Sequence, residues 1–348
     1  VALMSCSQQH FIAHPAEMRT ALAMMQDSSE ILDRLLAGGH SKVAGRLAGA
    51  FRNIGRARIA NDIISAMQSA GYTLHEQDPF QDQSPFKLSH RDISPAVNRL
   101  RMNWARMRDD VLQLFPKAPS LPDSILYLKQ VENAYASDAY HSLSIEGYQV
   151  SAELIEKVRS GNWKPESDQD DQTLRNALAA RGYWQAFQKV KNSIQKVLGG
   201  ENAGDVADLD HTSWHQELFG PSVVAGLLKA TDLAGYRNGQ VYIRRSMHTP
   251  PSKESVRELM PAFFELLQQE VEPSVRVVLG HFMFVYIHPY FDGNGRMGRF
   301  LMNLMLASGG YPWLIIPLEK RNDYMAALEC ASVDGNIKPF VSFLCALF

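Results

Sequence analysis

The sequence predicts a mainly α-helical protein carrying one small β-hairpin. Three observations lead to this. Apolar residues recur three and four positions apart along most of the chain, the period of a helix with one buried face. Strand-like runs do not alternate with helical ones, as a parallel sheet would require. Only one stretch, 235–243, joins an Asn-Gly dipeptide (Asn238-Gly239) to a β-prone run, the pattern of a tight hairpin.

The elements follow in order. Short helices are expected at 16–25, 29–36, 43–51 and 59–67, each with i, i+3, i+4 apolar spacing, ending at Gly71. Residues 75–95, rich in Pro, Gln, Asp and Ser, read as a linker and a domain boundary. A helix over 97–114 ends where Pro116, Pro119 and Pro122 break the chain. Long helices are predicted at 124–141, carrying on or restarting through 142–147, then at 151–158 and 172–198. Gly199, Gly200 and Gly204 mark a surface loop. After the hairpin, Pro250-Pro251 leads into a helix at 252–269 with Ser252 as N-cap. Two more helices are expected at 273–287 and 295–308. The organisation is three-part: a helical domain of unassigned role over 1–85, further helices over 86–205, and a core over 206–348.

Composition narrows the class. The chain has 348 residues, which suggests about two domains. Its 35 basic and 37 acidic residues give a net charge of −2, which argues against a surface that coats nucleic acid or an anionic membrane. Three widely spaced cysteines, Cys6, Cys330 and Cys345, fit neither a disulfide framework nor a cysteine zinc site. With no run of 18 apolar residues and no leader pattern, the expectation is a soluble, cytoplasmic protein.

One segment carries chemistry: His288-Pro289-Tyr290-Phe291-Asp292-Gly293-Asn294-Gly295-Arg296-Met297-Gly298-Arg299. Pro289 disfavours helical geometry at His288, so the apolar helix ends there. A turn with two glycines follows, then a new helix whose first N–H groups and dipole favour an anion. Arg296 and Arg299 leave one face of that first turn, where the dipole alone disfavours arginine. Two arginines there make sense if a polyanion or carboxylate lies between them. Asp292 suits a hard cation such as Mg²⁺, and His288 is a base with an ordinary pKa near 6.5. Together they describe nucleotide phosphate chemistry. The literal G-x-G-x-x-G at 293–298 lacks the preceding strand and βαβ unit of a dinucleotide fold, and no P-loop occurs.

This segment resembles the signature of Fic-domain proteins, H-P-[FY]-x-[DE]-G-N-G-R-x-x-R, at every defined position, and the likeness extends from about residue 100 to 343. The resemblance implies a helical Fic fold and transfer of AMP from ATP to a Tyr, Thr or Ser hydroxyl of a target protein. It implies His288 as the base and Asp292 as ligand of Mg²⁺. Gly293, Asn294 and Gly295 would form an anion hole, Arg296 and Arg299 would hold the β- and γ-phosphates, and Tyr290 would anchor the loop. Tyr324 would lie on the adenosine side. Val241, Tyr242 and Ile243 would belong to a hairpin flap that aligns the target by strand addition. His281, two turns before His288, reads as a core histidine.

A second segment, Ser142-Leu143-Ser144-Ile145-Glu146-Gly147, is similar to the family's inhibitory pattern [ST]-x-x-x-E-[GN]. Ser142 and Glu146 share a helix face. A Glu146 carboxylate paired to Arg299 would deny that arginine to the γ-phosphate. Self-modification is an expected by-product of such an enzyme. Two alternatives stay open: removal of AMP at the same site with Glu146 positioning water, and a DNA- or protein-binding regulator with residual activity. The basic row Lys42, Arg46, Arg52, Arg56 and Arg58 could contact nucleic acid through residues 1–85, although a solvated helix face is the preferred reading.

Overall fold

The computed structural model describes residues 2–25, 27–80, 94–119, 123–163 and 171–348; among them there is no β-strand. The chain divides into two compact units, one of Val1–Ser94 with Val223–Asn238, the other of Pro95–Ser222 with Gly239–Phe348.

The first unit contains α1 (Ala2–Ser5), α2 (Gln8–Ala13), α3 (Pro15–Ala23), α4 (Ser29–Gly38), α5 (Ser41–Asn53) and α6 (Ala57–Ser69). The four expected helices are all present, each extended by one to three residues at an end or shifted slightly. Leu32, Leu35, Leu47, Phe51 and Ile63 pack into one core that also takes Ala234 from the returning segment. Residues 75–80, expected to begin a linker, lie instead along α5. Gly45 and Gly49 allow this: a Cβ on either would sit 2.1 Å from the His75 carbonyl oxygen or 2.3 Å from that of Gln77. The rest of the predicted linker, 81–93, lies outside the described residues.

Much of the basic row is spent inside this unit. Arg52 binds Glu76 through two nitrogens, at 2.6 and 3.0 Å, and Asn61 at 2.9 Å. Arg56 donates to the carbonyls of Ala23, at 2.8 Å, and of Met25. Arg58 lies over the Tyr236 ring, 5.8 Å from its centre.

The second unit contains α7 (Pro95–Leu114), α8 (Ser124–Ile145), α9 (Ala152–Arg159), α10 (Asp171–Leu198), most of α11 (Ala203–Val224), α12 (Lys253–Gln269), α13 (Pro273–Ile287), α14 (Asn294–Ser308), α15 (Arg321–Glu329) and α16 (Lys338–Cys345). Its centre is α13, buried on nearly every face from Val275 to Ile287, as expected for a helix apolar all round. Each such Val, Leu or Phe contributes roughly 1.5–3 kcal/mol by leaving water. Helices α7, α12 and α14 pack around it. Gly298 lets α14 come close, since a Cβ there would lie 2.8 Å from His281 Nδ1 and 2.9 Å from Val285 Cγ1. Helix α8 is a single helix capped by Asp123, whose side chain accepts from the Leu126 N–H at 2.9 Å. Ser252 caps α12 as the sequence implies, accepting from the Ser255 N–H at 3.2 Å.

The predicted hairpin at 235–245 is not formed. Asn238-Gly239 is where the chain passes from one unit to the other, and a short 3₁₀ helix, Ala230–Leu233, precedes it. The return arm ends in Pro250-Pro251, which have no N–H to give to a ladder. The only reversal in 239–251 closed by a backbone bond is a turn over 243–246, in which the Ser246 N–H donates to the Ile243 carbonyl at 3.2 Å. Gln240 reaches Pro250 through its side chain, at 3.0 Å. Val241, Tyr242 and Ile243 therefore belong to no strand or helix.

Candidate active site

The site is built where α13 ends and α14 begins. His288 caps α13 in the left-handed region, φ 54° and ψ 59°, a conformation costing roughly 1–2 kcal/mol for a residue with a Cβ. Its N–H still reaches the Phe284 carbonyl at 3.0 Å. The ring Nδ1–H donates to the Val285 carbonyl at 3.3 Å, which selects the tautomer whose lone pair is on Nε2.

The loop from His288 to α14 is braced from within. Asn294 accepts from the Tyr290 N–H at 2.9 Å and donates to its carbonyl at 2.8 Å. Tyr290 is buried and stacks on His215 of α11, ring centres 3.8 Å apart, so it anchors the loop as expected. Burial pushes His215 down to about 4, so the neutral ring can donate to the Asp292 carbonyl at 3.2 Å. Gly293, at φ 87°, caps α14. Asp292 Oδ1 accepts from the Gly293 N–H at 2.5 Å and from Arg296 at 3.3 Å, and its side chain is 65% exposed.

The two arginines have different surroundings. Arg296 is buried, with its guanidinium 4.9 Å from the Phe219 ring centre and 5.2 Å from that of Tyr148, a cation held by aromatic faces. Arg299 is buried among hydrogen bonds from α8. Its Nε donates to Ser142 Oγ at 2.8 Å, and Nη2 donates to the Ser142 carbonyl at 3.0 Å and to Glu146 Oε1 at 2.7 Å. Burial pulls the Arg299 pKa down, but the Glu146 carboxylate and nearby Tyr324 and Tyr183 outweigh it, and the net shift is upward. Its Nη1 is buried beside Gly295 and has no acceptor among the described residues.

Glu146 occupies the space over the first turn of α14: a Cβ on Gly295 would lie 2.3 Å from its Oε1. The sequence places it there through Gly147. At φ 94° this glycine ends α8, donating to the Ser144 carbonyl at 3.0 Å while the Tyr148 N–H donates to that of Leu143 at 3.1 Å. These two bonds are the 5→2 and 6→1 pair of a Schellman motif. The same turn sends Tyr148 to Arg296. A carboxylate at the C-terminus of its own helix is opposed by the dipole; the N-terminus of α14 and Arg299 offset that. Arg321 adds a further tie, its Nε donating to the Ile145 carbonyl at 2.8 Å.

A cavity of about 550 Å³ opens beside these groups. His288, Gly295, Arg299, Tyr324, Glu146 and Ile243 line it, whereas Asp292, Gly293, Asn294 and Arg296 do not. Tyr324 is buried, its hydroxyl 2.7 Å from His281 Nε2. Burial pushes His281 down to about 3, consistent with a core histidine, here one that positions Tyr324 beside Arg299. Of the residues expected in the flap, Ile243 lines the cavity and Tyr242 is 79% exposed.

Several contributors were not anticipated. Asp138 lies one turn before Ser142 and accepts from the Tyr183 hydroxyl at 2.6 Å. Its signal was the four-residue spacing Asp138, Ser142, Glu146 on one helix. Phe219 and His215 belong to a helix the sequence reading lacked. Glu329 accepts from the Ser246 hydroxyl at 2.5 Å and the Met247 N–H at 2.6 Å, a contact without a sequence signal.

Comparison with known proteins agrees with this geometry. Residues 210–306 match the model of the Fic/DOC family. A Protein adenylyltransferase Fic of Nematostella vectensis is 28% identical over 254 residues, covering 72% of this chain and 55% of that protein. Its namesake in Drosophila yakuba is 30% identical over 220 residues, covering 61% and 40%. The chain thus spans about half the length of the curated relatives it matches. The solved structure of Fic-1 from C. elegans has a TM-score of 0.53 at 19% identity, covering 98% of this chain and 91% of that one, and shares its fold. The motif, the helices that hold it and these matches agree: over residues 210–306 the chain is similar to the Fic/DOC family.

Proposed function

We propose that this protein is an adenylyltransferase that moves AMP from ATP to a Tyr, Thr or Ser hydroxyl of a target protein, and that Glu146 holds it inactive. The observation that carries this reading is the carboxylate of Glu146 over Gly295 and on Arg299, at the helix N-terminus where a triphosphate would bind. A γ-phosphate would need the same arginine, so occupancy by Glu146 and a productive triphosphate pose exclude one another by space and by like charge.

In the transfer, the target oxygen attacks the α-phosphorus, the bond to pyrophosphate breaks, and the hydroxyl proton passes to His288 Nε2. The Val285 carbonyl supports the imidazolium that results, through Nδ1–H. The α14 N-terminus and Arg299 hold the donor's negative charge, so positioning and charge neutralisation supply most of the catalysis. A Mg²⁺ ion fits Asp292: the carboxylate is exposed and both its hydrogen bonds use Oδ1. Mg²⁺ commonly binds one carboxylate together with substrate phosphates, and it would there neutralise phosphate charge. No cluster of three His, Cys, Asp or Glu among the described residues offers a protein-only metal site. Among the same residues, no helix is long and apolar enough to cross a membrane.

The test is incubation with α-labelled ATP. Glu146→Gly should raise labelling of the protein itself and of lysate proteins at least tenfold, and adding His288→Ala should return it to background while nucleotide binding persists. Equal label with and without Glu146 would refute the inhibition; full transfer without His288 would refute the base. Loss of an AMP-removing activity in Glu146→Gly, with no gain in transfer, would instead favour removal of AMP.

A further inference from the structure

The turn at 243–246 forms one wall of the cavity and is held tightly. Glu329 grips Ser246 and Met247. His248 bonds to the Tyr286 carbonyl at 2.9 Å and stacks on the Tyr286 ring at 4.3 Å. Immediately before these anchors Arg245 sits at φ 62°. A left-handed arginine costs about 1 kcal/mol or more and persists only where its surroundings impose it. Asn or Gly would relieve the cost, yet the position holds a long cation.

Both Arg244 and Arg245 are exposed and line the cavity with His288. The other cavity arginines are engaged: Arg299 by Ser142 and Glu146, Arg321 by the Ile145 carbonyl. The cavity carboxylates are engaged as well, Glu146 by Arg299 and Glu329 by the turn itself. Arg244 and Arg245 make no hydrogen bond or ion pair among the described residues. Two adjacent guanidiniums without an internal counter-charge, on a fixed turn, match a carboxylate brought by a ligand. The donor phosphates have their own cradle at the α14 N-terminus. The turn instead adjoins residues 240–243, which lie outside any helix or strand, and Tyr242 and Met247 flank the arginines at 79% and 82% exposure. Arginines flanked by exposed apolar side chains suit a peptide segment.

We propose that Arg244 and Arg245 select acceptor segments that carry an acidic side chain beside the modified hydroxyl. This rests on the transferase reading for the hydroxyl, but the acidic peptide is recognised by binding alone. Either arginine on the carboxylate forms a charge-assisted bond, so exchanging Glu for Gln in the acceptor should cost about tenfold.

The test uses the full chain with Glu146→Gly and a set of Thr-, Ser- and Tyr-centred peptides. Members of each pair differ only by Glu or Gln at one of the flanking positions on either side. AMP transfer gives kcat/KM, and fluorescence anisotropy with the Glu146→Gly, His288→Ala form gives binding without transfer. The expected result is a Glu preference of about tenfold at one or more flanking positions, weakened by salt. The ratio should fall below about twofold in Arg244→Gln, Arg245→Gln, with a smaller change in KM for ATP. Equal binding of Glu and Gln peptides overturns the proposal, whether or not AMP is transferred. So does a double variant that raises KM for ATP and leaves the Glu-to-Gln ratio intact, which would assign the arginines to the donor. A Glu preference in binding with no transfer to any peptide supports the acidic-segment reading and overturns the transferase reading.

Discussion

Asp138 lies behind the Ser142–Arg299 contact, buried, with the Tyr183 hydroxyl donating to it. Burial pushes its carboxyl up from 3.8 to about 6, against the opposing pull of the Tyr183 and Trp313 donors and the Arg299 charge. A carboxyl whose folded pKa is raised takes up its proton more readily in the folded state. Its contribution is therefore most favourable below about pH 4 and is lost as pH rises through about 6. The amount is on the order of 3 kcal/mol. Asp138→Asn keeps an acceptor for Tyr183 but removes the titration. Urea melts at pH 4, 5, 6 and 7 should show the difference in stability between variant and wild type shifting toward the variant as pH rises. A difference constant over that range would show that Asp138 does not titrate there.

At the scale of elements, the pair α13 and α14 sets the site, because one ends at His288 and the other starts at Gly293. Their close approach depends on Gly298, where a Cβ would meet His281 and Val285 inside 3 Å. Gly298→Ala must push the helices apart or displace His281, whose Nε2 holds Tyr324 beside Arg299. It should destabilise by about 1–3 kcal/mol, as overpacking does, and weaken ATP binding as well; chemical melts and nucleotide titration check both, and a variant as stable as wild type would disprove the tight contact. These two helices were legible in the sequence because Pro273, Pro289 and Gly293 punctuate them. Helix α11 was not. It is buried on most faces, with His211, His215 and Gln216 inside and Pro221 within it, so it shows no apolar stripe and contains a breaker. The hairpin was misread for the opposite reason. Asn238-Gly239 is a strong local turn signal, but the prolines at 250–251 and the change of unit at Gly239 leave no strand for it to pair. The site motif was readable because its residues are contiguous, whereas Asp138, Tyr148, Phe219 and Glu329 reach it only through folding.

Over the whole molecule, the boundary expected near residue 85 does not separate the units cleanly, because Val223–Asn238 belongs with the N-terminal one. Sequence patterning could not show this, since a segment that returns to an earlier core has no local mark. The segment is held firmly: Ala234 joins the first unit's core, Tyr236 is buried under Arg58, and a Cβ on Gly235 would lie 2.8 Å from Ser29 Oγ. Removing residues 1–94 would strip these contacts and leave Ala234 and Tyr236 in water, in a loop joining α11 to the cavity wall. A 95–348 truncation should therefore be cut first by a broad-specificity protease within 223–238, a stretch that stays protected in the full chain. Replacing 223–238 in the truncation with a short Gly/Ser linker should remove that cleavage, since the loose apolar segment is gone. First cleavage elsewhere, or equal cleavage of full chain and truncation at 223–238, would mean that the segment does not depend on residues 1–94 for its order.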